Sequence, residues 1–233
     1  MPQSVQKSKG TYVTMALLPQ GVRQKPVDQT LKIKAANAVA GIAKGATTIP
    51  LTAAITGLIP KGQWLLFRDT DGVERVCQLS ADAKPDDETL KVYELPEAIG
   101  DGSDAIFPVK LQARTAASVS RAASLKSVIT FDSGAERDGT TTSRERNLSA
   151  SGNYLYYDAG VMTCEYAFQN DQEIWVRRVL PPPSDAYISG KITEGPTALT
   201  SIPDEVPADG FITENMEFAF LGFVSETNPK PKP

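Results

Sequence analysis

Residues 44–67, KGATTIPLTAAITGLIPKGQWLLF, return forty residues later as KPDDETLKVYELPEAIGDGSDAIF, residues 84–107. At that spacing Ile59 matches Ile99, Gly62 matches Gly102 and Phe67 matches Phe107. A slip of one residue sets Ile49 and Leu51 on Leu90 and Val92. Each copy has the pattern strand, short connection ending in a glycine turn, strand. A unit of that size cannot bury its own apolar face, so the two copies must share one core. Between them GVERVCQLS, residues 72–80, alternates Val73, Arg75, Cys77 and Leu79 against Glu74, Val76, Gln78 and Ser80, the period of a strand. The repeat predicts a small β domain over 31–109, inserted between an N-terminal arm, 1–30, and a main body, 110–233.

The remainder also points to β-structure punctuated by turns, with 17 glycines and 17 prolines and little helical periodicity. In the arm, residues 12–18 form one short apolar stretch between polar flanks. LQARTAASVSRAASLKS, residues 111–127, holds no apolar face and is expected to be a helix or a linker. SVITF, 127–131, has strand composition, and the polar run that follows to residue 152 is expected to be a long functional loop. Asp158 stands as an N-cap before Val161, Cys164 or Glu165, and Phe168 at helical spacing, the best helix in the chain. Strands are expected within 173–183, 185–195 and 197–203. The closing strand, FITENMEFAFLGFV (211–224), has one nearly continuous apolar face, Ile212, Met216, Phe218, Phe220 and Val224, interrupted by Glu214. Its second face is polar in the middle but apolar at both ends, with Phe211, Leu221 and Phe223. The last nine residues, SETNPKPKP, are expected to fray.

Charge excludes some functions. Residues 1–30 sum to +3, 31–110 to −2, 111–152 to +2 and 153–233 to −7. No basic stripe of the kind that neutralises phosphates is present, which argues against tight nucleic-acid binding. No run approaches a membrane span and the first residues lack a signal-peptide core, so the chain is expected to be made and used without export. Cys77 and Cys164 show no paired spacing and are expected to be reduced, buried thiols.

A catalytic reading finds little support. With no histidine in the chain, histidine-activated nucleophiles and histidine metal sites are excluded. GAERDGTT, 134–141, has the glycine spacing of a phosphate loop without its lysine. Glu165, Glu173, Glu214 and Glu217 are available as carboxylates, but Glu214 and Glu217 fall on opposite faces of their strand. Tyr154, Tyr156, Tyr157, Trp64 and Trp175 raise the alternative of a carbohydrate-binding sandwich, against which core packing accounts for them equally well. Arg137, Arg144 and Arg146 alternate with Glu136, Asp138 and Glu145, a pattern suited to a complementary protein surface rather than to a polyanion. No enzyme, cofactor or metal site is expected.

The order of features in ISGKITEGPTALTSIPDEVPADGFITENMEFAFLGFV, preceded by RNLSASGNYLYYDAGVMTCEYAFQNDQEIWVRRV, resembles the closing half of bacteriophage tail tube (major tail) proteins. The resemblance covers residues 125–224. It implies a mainly β fold, a β-sandwich with one flanking helix, with the small β domain as an addition. It further implies a structural subunit assembling into stacked hexameric rings that form a conduit for the genome, with other tail proteins (sheath, terminator, baseplate) as partners. The location implied is the virion, after assembly in the host cytoplasm. Arms and a long loop interlock rings in that family. The candidate inter-subunit contacts are accordingly Tyr12, Val13 and Leu17 from the arm, Arg137, Arg144 and Arg146 from the loop, and Phe211, Leu221 and Phe223 from the last strand. Other virion β-proteins, a capsid decoration or a tail terminator, share this description.

Overall fold

The computed structural model describes residues 10–34, 41–69, 72–112, 114–128, 138–153, 155, 157–205 and 212–232. In chain order the elements are β1 (Tyr12–Leu17), β2 (Gln29–Lys32), β3 (Thr48–Pro50), β4 (Trp64–Arg68), β5 (Glu74–Gln78), β6 (Thr89–Lys91), β7 (Asp104–Phe107), β8 (Val109–Leu111), β9 (Arg114–Val128) and β10 (Asp138–Asn153). The helix α1 (Ala159–Gln169) follows, then β11 (Ile174–Val179), β12 (Tyr187–Ser189), β13 (Ile192–Ser201), β14 (Asp204–Glu205), β15 (Thr213–Phe220), β16 (Ser225–Thr227) and β17 (Lys230–Pro231). Among the described residues the fold is mainly β with one helix, as the sequence predicts.

The repeat becomes a pseudo-twofold barrel. Strands β2, β3 and β4 form one half and β5, β6 and β7 the other, and they exchange strands: the four-stranded sheet runs β2-β7-β4-β5 and the second sheet is β3-β6. The dyad passes between the equivalent strands β4 and β7, which pair at Arg68↔Asp104, and through the Ile49↔Leu90 pair. Hydrogen bonds recur across it. Ile33 N to Ser103 O (3.0 Å) is matched by Leu79 N to Gln63 O (3.0 Å), and Lys34 N to Pro50 O (2.9 Å) by Ser80 N to Lys91 O (3.0 Å). Gly62 and Gly102, φ +87° and +70°, turn the chain into the two equivalent strands β4 and β7. The structural repeat is longer than the sequence echo, because β2 and β5 belong to it as well.

The main sheet has the order β8-β1-β11-β13-β15-β10-β9, with β14 added on β15 and β16 on β13. Two sequence expectations are corrected here. Residues 111–127 form neither a helix nor a linker: from Arg114 they are β9. The polar run expected as a loop is, from Asp138, the strand β10, paired with β9 along its length. The physical reason is that, of residues 114–123 in β9, only Arg114, Ala117 and Val119 are not exposed, so apolar alternation is confined to a few positions. The two short strands expected around 185–203 are β12 and the ten-residue β13, which runs straight through Pro196. Pro196 O accepts from Leu221 N at 2.8 Å, so the missing N–H faces the point where β13 changes partner from β16 to β15. The tail expected to fray also pairs, as β16 on β13 and β17 on β12.

Asp158 caps α1 as predicted, its Oδ1 accepting from Gly160 N at 2.8 Å and Val161 N at 3.4 Å. Phe168, expected on the inner face, is exposed, while Val161, Cys164 and Ala167 are buried. One core runs from the barrel (Leu65, Phe67, Leu79, Leu90, Phe107) into the main sheet (Met15, Ile174, Val176, Met216, Phe218) and the helix. The joint is polar at one point. Buried Gln63 accepts from Leu17 N at 2.8 Å through Oε1 and donates from Nε2 to Thr163 Oγ1 at 3.0 Å. Both cysteines are buried and free, and burial pushes the Cys77 thiol up to about 12 and Cys164 higher than usual.

Candidate assembly surface

The closing strand supplies the frame. Met216 and Phe218 on β15 are fully buried, and Glu214, the charge interrupting that face, is buried beside them. Its partner is Arg114, whose Nη2 lies 3.3 Å from Glu214 and 4.0 Å from Asp158, all three side chains being almost wholly buried. In the register Gly152 lies between Arg114 and Glu214, and having no side chain it lets the guanidinium reach across the intervening strand. Asp158 Oδ2 also accepts from Gln112 N at 2.8 Å. Burial raises both carboxyls above their ordinary range, against the lowering pull of Arg114 and, at Asp158, of three backbone N–H groups. The network ties the base of β9, the start of α1 and the start of β15 together.

Beyond that base the β9–β10 ribbon leaves the sheet. β15 pairs only with residues 147–153 of β10, whereas β9 continues to pair with β10 out to Val128↔Asp138. At the departure point Arg121 and Arg146 stand opposite each other in register. Both form ion pairs with Glu226 on β16, Arg146 at 3.7 Å and Arg121 more closely, and Lys191 Nζ reaches the same carboxylate at 2.8 Å. Hydrogen bonds from Lys191 and Arg121 hold the Glu226 carboxyl down to about 2.

The described part of the N-terminal arm is tied to its own chain. Val13 and Leu17 are buried in β1, which lies between β8 and β11, so as contact residues they are corrected: they have no surface to offer a neighbour. Residues beyond β1 are held over the main sheet by Arg23 to Glu173 (2.5 Å), Lys25 to Glu194 (2.7 Å) and Asp28 to Arg177 (3.0 Å). Tyr12 is partly exposed, with Lys110 Nζ 5.8 Å from its ring centroid. It lines a cleft of about 770 Å³ where the barrel residues Leu66 and Ile106 face β8 and the base of β9. Arg144 is exposed on the ribbon. Leu221 is half-buried, and Phe223, after Gly222 at φ +77°, is 82% exposed. Arg137 and Phe211 lie outside the described residues.

The structure thus joins Arg146 to the segment bearing Phe223 through Glu226, and places Tyr12 at the separate cleft. Sequence reasoning missed Arg121, Lys191 and Glu226, as well as the Arg114–Asp158–Glu214 network. The signal for Arg121 was the alternation of Ala117, Val119 and Arg121, visible only if 111–127 is treated as a strand. Among the described residues, no group of three or more His, Cys, Asp or Glu is placed to hold a metal ion, and no helix is long and apolar enough to cross a membrane.

No protein-family model and no curated protein matches the chain. Among solved structures, half of it is similar to a chain in the tail of an empty gene transfer agent particle with C6 symmetry (21% identity, 50% of this chain and 84% of that one, TM-score 0.42). It is similarly alike to a chain of the native gene transfer agent virion (19% identity, 50% and 86%, TM-score 0.42). A chain of the anti-feeding prophage baseplate also matches (8% identity, 53% and 84%, TM-score 0.42).

Proposed function

We propose that this chain is a structural, non-catalytic subunit of a bacteriophage tail tube that self-associates into stacked rings of six enclosing the path of the genome. The observation that carries the reading is the β9–β10 ribbon. Nine residues of β10, 138–146, extend past the last residue paired with β15, a reach of about 30 Å at strand rise. A two-stranded ribbon standing alone is marginal in water, so this one requires a surface that its own sheet does not supply. The tail-tube resemblance of residues 125–224 gives that surface an identity, a neighbouring copy. Tyr12, Arg144, Leu221 and Phe223 remain as contact residues on exposed or half-exposed surface. Stacked rings place the protein in the virion, beside a terminator, a baseplate and, in a contractile tail, a sheath. The acidic last third suits a conduit to which DNA does not adhere.

Sedimentation velocity and negative-stain microscopy over a concentration series test this. Wild-type protein is expected to form rings or tubes. A variant in which Asn-Gly replaces residues 121–146, joining the paired Ser120 and Asn147 by a hairpin turn, is expected to keep its circular dichroism and remain monomeric. A wild type that stays monomeric throughout, or a shortened variant that assembles equally well, overturns the reading.

A further inference from the structure

The fork formed by Arg121 and Arg146 is a pair of like charges set directly opposite in a ladder, an arrangement that repels unless an anion lies between them. Lys191 completes it on one side. Arg178 lies nearby: its Nη1 donates to Ala117 O at 3.3 Å and its Nε is buried without a hydrogen-bond partner. Burial, and then Arg121, lower its affinity for its proton. Among the described residues, the ion pairs of Arg121, Arg146 and Lys191 all end on one carboxylate, Glu226. That carboxylate is carried on a short strand: β16 pairs with β13 through three residues, after the Gly222 turn and the exposed Phe223 and before the two-residue pairing of β17 with β12.

We propose that this fork is a carboxylate-binding site which Glu226 occupies in the free subunit, and that β14 of a second copy displaces Glu226 on association. The proposal rests on the self-association reading above. Residues 204–210, DEVPADG, carry three carboxylates and no cation, matching the excess positive charge at the fork. β14 pairs with Glu214 and Thr213, at the opposite end of β15 from the ribbon's departure point, about 20 Å away at strand rise. A carboxylate from β14 therefore reaches a fork only between copies. The short strand β16 then acts as a strap, shielding the fork until a neighbour arrives.

The test uses full-length protein and a synthetic peptide of residues 202–210, IPDEVPADG, with its uncharged counterpart IPNQVPANG as control. Glu226→Gln leaves the side chain's size unchanged and removes the competing charge. It is expected to bind the acidic peptide roughly threefold or more tightly than wild type, the scale of an exposed ion pair. The doubly substituted Arg121→Gln, Arg146→Gln protein is expected to lose this binding while keeping its circular dichroism. Concentration series should show Glu226→Gln assembling at lower concentration than wild type. Equal peptide affinity for wild type and Glu226→Gln, or equal binding of the control peptide, overturns the fork. Wild-type protein that never assembles overturns the self-association reading and the identity of the occupant, which is a separate measurement from the peptide titration.

Discussion

At the level of single residues, the clearest consequences come from Arg114 and from the two dyad-related glycines. Asp158 and Glu214 have folded-state affinities for protons above their unfolded ones, so their charged forms cost stability above the folded pKa and protonation relieves that cost as pH falls. Arg114→Met leaves both carboxylates buried without their cation, expected to cost about 3–5 kcal/mol at pH 7. Denaturant melts should show part of that loss recovered at pH 5, where uptake of protons replaces the missing charge. A variant whose deficit grows on acidification contradicts this account. A second comparison uses Gly62 and Gly102. An added Cβ at Gly62 meets the Tyr166 ring at 2.1 Å, whereas at Gly102 it meets nothing within 4 Å. Both substitutions to Ala carry the left-handed strain of about 1–2 kcal/mol, but only Gly62→Ala adds a clash with α1. Thermal melts are expected to rank Gly62→Ala well below Gly102→Ala, with Tyr166→Ala narrowing the gap.

At the level of elements, the ribbon and the strap oppose each other. Glu226 has its pKa lowered to about 2 from an unfolded value near ~4.3, so the stability it lends is full above ~4.3 and disappears as pH falls towards 2. The difference in denaturation midpoint between wild type and Glu226→Gln should therefore be constant from pH 7 to 5 and close at pH 2. The ribbon also explains what was hidden in the sequence. Val13, Met216 and Phe218 alternate with more exposed neighbours because one face of their strands meets a core. Much of β9 meets none, and Thr115, Ala116, Ser118, Ser120, Arg121 and Ala122 are exposed. A strand whose inner face is reduced to Ala117 and Val119 gives too short a period of two to be read, which is why it resembled a helix or a linker. Asp158 could be identified as a cap because capping depends on neighbours two and three residues away.

At the level of the whole molecule, barrel and main sheet share one core, so the protein is expected to unfold in a single calorimetric transition. Gln63→Ala removes the acceptor for Leu17 N and a partner of Thr163 at the joint. The expected cost is about 1–3 kcal/mol, chiefly from Leu17 N left unmet, since Thr163 Oγ1 still donates to Ala159 O. A split of the endotherm into two in that variant would identify Gln63 as a coupling residue; a midpoint unchanged from wild type would show that the joint is held by apolar contact alone.

Local and periodic information in the amino-acid order was enough to determine the mainly β character, the duplicated unit, the glycine turns, the capped helix and the absence of histidine chemistry. These depend on residues close in sequence or on a pattern repeated at fixed spacing. The tertiary structure alone decided that the two halves of the barrel exchange strands, that Val13 and Leu17 face inward, and that Arg114 reaches Glu214 across Gly152. It also set Arg121, Arg146 and Lys191 around Glu226. Each of these joins positions far apart in the chain through sheet register, and register is set by the packing of the whole core rather than by any single segment.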